Sequence, residues 1–169
     1  MRNIYLVGMM GSGKSVTGKR LAIKLGYGFV DLDELAQHKS GKSINEIFET
    51  AGEKVFRDLE SQILKDTAAS EMKVVATGGG TVLRYANVEL MKVTGKIIYL
   101  ETSPEMIWQR IGDKKDRPLL KGGKPKEKLL EIYAYRKPVY EGCSNKTVNT
   151  DGKTAGMVAD EIFEWMSQS

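Results

Sequence analysis

Gly8-Met9-Met10-Gly11-Ser12-Gly13-Lys14-Ser15 carries glycine, lysine and hydroxyl in the spacing G-x-x-x-x-G-K-[ST], a pattern that wraps backbone around phosphate. Glycines leave the N–H groups exposed and able to converge on phosphate oxygens. A helix starting at the lysine adds the positive end of its dipole. The pattern therefore predicts a nucleotide site formed by Gly11, Ser12, Gly13, Lys14, Ser15 and Val16, with Lys14 reaching the β- and γ-phosphates and the Ser15 hydroxyl binding Mg²⁺. A phosphate loop alone does not say what the nucleotide is for. GTP is disfavoured, because Asn145-Lys146-Thr147-Val148 lacks the aspartate of a guanine-reading Asn-Lys-x-Asp. Glu101, after the apolar run 97–100, reads as an ordinary strand end rather than a second ATPase motif.

Two further groups point to an acceptor for the phosphoryl group. Asp31 and Asp33 lie at i and i+2 at the end of an apolar run. If the backbone stays extended there, both carboxylates leave on one face. One would then serve the Mg²⁺ shell and the other an acceptor hydroxyl. Gly78-Gly79-Gly80 follows another apolar run directly, more glycine than a plain turn needs, and suggests a place where a substrate approaches the backbone closely.

The elements that must hold these groups are legible as an alternation. Apolar runs at 4–7, 29–32, 74–77 and 97–100 alternate with helical patterns, which argues for an α/β fold around a parallel sheet. The first helix is expected over 14–25, stopped by Gly26, with Gly18 inside it for close packing. Ser43-Ile44-Asn45-Glu46 has capping-box spacing for a short helix to Ala51, stopped at Gly52, with a second helix following through Thr67. Ser103-Pro104 begins a helix toward Ile111, and Val158, Ile162, Trp165 and Met166 form the stripe of a C-terminal helix. Residues 112–126 break all periodicity, as a functional loop does.

Composition narrows the partners. A chain of 169 residues, 41% hydrophobic and 28% charged, is expected to form one domain, 1–169, with a real core. The net charge of +4 comes without a basic stripe, which disfavours nucleic acid. Only seven of the 26 basic residues are arginines, the planar fork suited to carboxylate and phosphate, so each can be questioned singly. One cysteine and one histidine exclude a disulfide framework and a zinc site. No run approaches the length of a membrane span and the start shows no cleavable signal, so a cytoplasmic protein is expected, by default a monomer.

Taken together and in order, these segments resemble shikimate kinase. The resemblance runs from the phosphate loop through Phe29-Val30-Asp31-Leu32-Asp33, Ser43-Ile44-Asn45-Glu46-Ile47-Phe48, Gly52-Glu53 and Phe56-Arg57-Asp58-Leu59-Glu60. It continues through Thr77-Gly78-Gly79-Gly80, Arg117-Pro118-Leu119-Leu120 and Tyr135-Arg136 to Tyr140. It implies ATP-dependent phosphorylation of the 3-hydroxyl of shikimate, a step toward chorismate and the aromatic amino acids. The implied fold is nucleoside-monophosphate-kinase-like: three layers, with five parallel strands in the order 2-3-1-4-5. A substrate-binding helical region would lie at about 33–60 and a lid at about 112–126.

Residue by residue, the resemblance gives Asp33 the shikimate hydroxyls and the role of base, and gives Asp31 support of Mg²⁺. Arg57 and Arg136 would grip the carboxylate beside the backbone of Gly78, Gly79 and Gly80. Arg117 would meet the transferring phosphoryl group from the lid, and Arg110 would pack near adenine. Two positions depart from the family pattern. Val16 replaces a usual threonine, and Lys121-Gly122-Gly123-Lys124 makes the lid glycine-rich and basic. On physical grounds alone, a gluconate kinase or a nucleoside monophosphate kinase would suit the arginines equally. A regulatory nucleotide-binding module is the reading from another class, against which Lys14, Asp33 and Arg117 speak.

Overall fold

In the computed structural model, residues 2–111 and 124–168 are described. Strand β1 (Asn3–Val7) is buried along its whole length, as a strand covered on both faces must be. Its side chains alternate between two cores: Ile4 and Leu6 face one, Tyr5 and Val7 the other. Around it stand β2 (Gly28–Asp31), β3 (Lys73–Ala76), β4 (Gly95–Glu101) and β5 (Lys146–Asn149) in one parallel sheet of order β2-β3-β1-β4-β5. This is the order the resemblance implied.

Helices cover both faces and complete three layers. On the Ile4 and Leu6 side, α1 (Lys14–Leu25) contributes Leu21 and Ala22, and α7 (Ala155–Ser167) contributes Val158, Ala159 and Ile162. On the Tyr5 and Val7 side lie α2 (Leu32–Ser40), α3 (Ile44–Ala68), α4 (Tyr85–Thr94), α5 (Pro104–Ile111) and α6 (Pro125–Cys143). Each fully buried leucine or isoleucine contributes about 1.5–3 kcal/mol to holding these layers together.

Local signals explain where the helices begin and end. Gly26 takes the left-handed conformation and returns its N–H to Ala22 and Ile23, ending α1. Gly18 has no room for a side chain, since a Cβ there would stand 2.6 Å from Cε2 of Phe29 and 3.2 Å from Leu6. Ser43 and Glu46 form the full capping box at the start of α3. The expected pair of helices is present within α3: Gly52, at φ 85° and ψ 165°, leaves helical geometry and separates the segment before it from the one after it. Chain direction changes at this point, and residues on either side of it reach the same cavity.

Helix α6 was not marked by the patterning, because Pro138 lies inside it. Its helix nevertheless runs to Cys143, with Leu129, Arg136, Tyr140 and Cys143 buried. Tertiary packing here outweighs the missing N–H. Of the lid placed at 112–126, residues 112–123 lie outside the described residues, and Arg117 with them. Pro125 and Lys126 belong to the first turn of α6 instead.

Candidate active site

The loop after β1 delivers the phosphate pattern in the context it requires, between a strand and a helix. Gly13 sits at the N-cap of α1 with φ 89°, a conformation that favours glycine. Lys14 folds back over the loop, donating to the carbonyls of Gly8 at 2.9 Å and Met9 at 2.8 Å. The ammonium is thereby held within the loop that the pattern assigns to phosphate.

The Ser15 hydroxyl donates to Oδ2 of Asp31 at 2.5 Å. The other oxygen of Asp31 accepts from the backbone N–H groups of Asp33 at 3.0 Å and Glu34 at 3.3 Å. Asp31 is thus both the N-cap of α2 and the neighbour of the phosphate-loop hydroxyl. This corrects the extended-strand reading of the Asp31 and Asp33 pair. The strand ends at Asp31, the chain turns helical at Leu32, and Asp33 stands in the first turn of α2. The cap forces the turn, yet both carboxylates still line one cavity.

That cavity has a volume of about 280 Å³ and brings the two expected halves together. Gly11, Gly13, Lys14, Ser15 and Val16 line it with Asp31 on one side, and Asp33, Arg57, Gly78, Gly79, Gly80 and Arg136 on the other. Phe48 and Phe56, packed with ring centroids 4.9 Å apart, add an apolar wall. Ser12 is buried beneath the loop, and Arg110 lies outside the cavity. Arg110 reaches the carbonyls of Gly11 at 3.2 Å and Thr150 at 3.4 Å, bridging the phosphate loop to the loop after β5.

Both acceptor-side arginines are buried, at 9% exposure for Arg57 and 5% for Arg136. Charge this deep must be paired. Arg57 donates to Glu60 at 2.9 Å and to Glu53 at 3.3 Å. Glu60, with only 2% of its side chain exposed, turns its second oxygen to the Thr81 hydroxyl at 2.6 Å. Asn87 in turn donates to the Thr81 carbonyl at 2.9 Å. Arg57 therefore sits in a fixed fork, one turn of helix from its partner.

The triple glycine has a more specific cause than substrate approach alone. A side chain on Gly78 would collide with the Glu60 carboxylate and stand 3.0 Å from Oδ1 of Asp33. One on Gly80 would collide with the Arg57 guanidinium. At these two positions the chain's own charged groups press on the backbone. A side chain on Gly79 would stand 3.4 Å from Nη1 of Arg136 and 3.5 Å from the Gly8 carbonyl, between the two halves of the cavity.

Glu60, Thr81 and Tyr140 are parts of the site to which sequence reasoning gave no role. For Glu60 a signal existed: an acid three residues after Arg57 on a predicted helix. Tyr140 stood in a segment of the resemblance without a role, and Thr81 had no signal; their partners are 61 and 21 residues away. Nearby, Lys137 donates to Glu101 at 2.6 Å and so ties α6 to the end of β4 beside Arg136. That bond holds the Lys137 ammonium well above its ordinary pKa.

Comparison with known proteins agrees with the geometry. The family model for shikimate kinase matches residues 10–167. A shikimate kinase of Sulfurihydrogenibium sp. is 44% identical over 163 residues, covering 96% of each chain. One from Thermodesulfovibrio yellowstonii is 40% identical, over 97% of this chain and 94% of that one. The solved shikimate kinase from Acinetobacter baumannii, in complex with shikimate, superposes with a TM-score of 0.96 at 37% identity, over 99% of this chain and 94% of that one. With the sheet order, the phosphate loop and the paired arginines all in place, the chain belongs to the shikimate kinase family, phosphotransferases that use ATP.

Proposed function

We propose that this protein transfers the γ-phosphoryl group of ATP to the 3-hydroxyl of shikimate, giving shikimate 3-phosphate and ADP on the way to chorismate. The observation that carries the reading is a single cavity with a phosphate loop at one end and two buried arginines beside a carboxylate at the other. Gly11, Ser12, Gly13, Lys14 and Ser15 hold the triphosphate, Val16 flanks it, and Arg110 packs near adenine. Arg57 and Arg136 grip the shikimate carboxylate beside Gly78, Gly79 and Gly80. A carboxylate facing two guanidinium forks makes charge-assisted hydrogen bonds, and the rigid ring lies against Phe48 and Phe56.

Asp33 accepts the proton of the 3-hydroxyl as that oxygen bonds to the γ-phosphorus and the bond to the leaving ADP breaks. Arg117, on the lid, meets the charge on the transferring group. Ser15 and Asp31 fit Mg²⁺: a hydroxyl and a carboxylate face each other at 2.5 Å beside the phosphate loop. This small oxygen donor set suits an ion whose remaining ligands are phosphates and water. When bound, Mg²⁺ supplies neutralisation of phosphate charge. The protein is proposed to act as a cytoplasmic monomer. No described helix is long and apolar enough to cross a membrane.

The test is ADP release from Mg-ATP by the purified protein. Release that depends on shikimate is the expected result. Stimulation by gluconate or a nucleoside monophosphate, with none by shikimate, overturns the assignment.

A further inference from the structure

Helix α6 places Arg136 and Tyr140 four residues apart, on one face. Arg136 enters the cavity; Tyr140 does not line it and is fully buried behind it. The Tyr140 hydroxyl donates to the Gly79 carbonyl at 2.5 Å and lies 3.8 Å from the sulfur of Met9 in the phosphate loop. Its ring is stacked on Tyr99, with centroids 5.0 Å apart and planes 22° apart, so the hydroxyl has little freedom. Burial pushes the phenol pKa up to about 12, against the opposing charges of Arg136 and Arg57 and a hydrogen bond from Arg136, so the group keeps its proton across the working range.

In a trans peptide the carbonyl and the following N–H point to opposite sides. A hydroxyl that fixes the Gly79 carbonyl on the Tyr140 side therefore fixes the Gly80 N–H on the other. Gly79 and Gly80 both line the cavity. A backbone N–H that faces a cavity is a ready donor to a ligand oxygen. The Thr81 N–H closes the turn on the Gly78 carbonyl at 3.2 Å, but turns of this span admit two orientations of their central peptide, and no side chain at 79 or 80 selects between them.

We propose that the Tyr140 hydroxyl is a positioning group that locks the Gly79–Gly80 peptide with the Gly80 N–H turned into the cavity, as a donor to an oxygen of the acceptor. The lock rests on the shikimate reading only for the identity of that acceptor. It acts through Gly79 and touches neither substrate.

Tyr140→Phe removes the hydroxyl and keeps the ring. The expected result is a rise of about tenfold in KM for shikimate, the loss of roughly one oriented hydrogen bond, with KM for ATP within about twofold. An unchanged KM for shikimate, or equal rises in both KM values, overturns the lock. A second measurement needs no activity: the amide resonances of Gly79 and Gly80 in the unliganded variant should shift and broaden, while those of the remote surface glycines Gly41 and Gly152 stay in place. Unmoved Gly79 and Gly80 resonances overturn the lock as well. Should the parent protein fail to turn over shikimate, the functional reading falls, and the amide comparison still decides the lock.

Discussion

The two ends of the cavity are built on different plans. The donor end is a single stretch of nine residues, 8–16, shaped by its own backbone and closed on itself by Lys14. The acceptor end collects Asp33 from α2, Arg57 from α3, three glycines after β3 and Arg136 from α6, with the buried Arg57–Glu60 pair and its hydrogen bonds behind them. Phosphate is the same in every nucleotide kinase and can be met by backbone. A particular acceptor needs charges in fixed places, and fixing a buried charge requires further residues behind it.

Substitutions can break or sharpen this contrast. The largest effect is expected from Lys14→Ala, which removes charge stabilisation from the transferring phosphoryl group and should lower kcat by about a thousandfold. Asp33→Asn should cost kcat about a hundredfold or more through loss of the base. Steady-state kinetics check both, and a near-normal kcat for either variant would remove that residue from the chemistry. Arg136→Ala should instead raise KM for shikimate by roughly ten- to a hundredfold and leave KM for ATP little changed, since it removes binding present in the ground state. Equal rises in both KM values would erase the distinction between the two ends.

Glu60→Ala tests the support behind the acceptor end. It strands the Arg57 guanidinium, and breaking a buried pair in this way should cost about 3 kcal/mol of stability, read by denaturant unfolding. A loss under about 1 kcal/mol would show Arg57 to be held by other means, Glu53 first. The smallest effect concerns pH. Hydrogen bonds from Arg84 and Lys54 lower the pKa of Asp58, and those from Lys39 and Gln62 lower that of Asp66, both on the helix that carries Arg57. Because the folded values are depressed, their stabilisation is complete above the ordinary carboxylate range and lost as pH falls through the lowered values. Asp66→Asn should therefore flatten the acid limb of the stability curve slightly; a steeper limb would contradict the assignment.

The same contrast explains what could be read from the sequence. Residues 8–15 declare themselves because every contact that matters is local, and the strand order followed from the family these motifs resemble. Asp31 was legible as a functional residue at a strand end, whereas the extended backbone expected to carry on to Asp33 stops there, because a cap that binds the N–H groups two and three residues on has the same composition as a strand end. The triple glycine was legible as a close approach, whereas its partners Glu60 and Arg57 became visible only when α3 was packed beside it. Tyr140 bonds to residues 61 and 131 positions earlier, pairings that no local pattern contains.

The central claim is that the two ends meet over one hydroxyl. Phosphorus–proton correlation NMR of the product formed from Mg-ATP and shikimate tests it most directly. The expected product is a single phosphate monoester coupled to the proton at the 3-position, in amounts equal to the ADP released. Inorganic phosphate in place of the ester, or an ester at another hydroxyl, would contradict it.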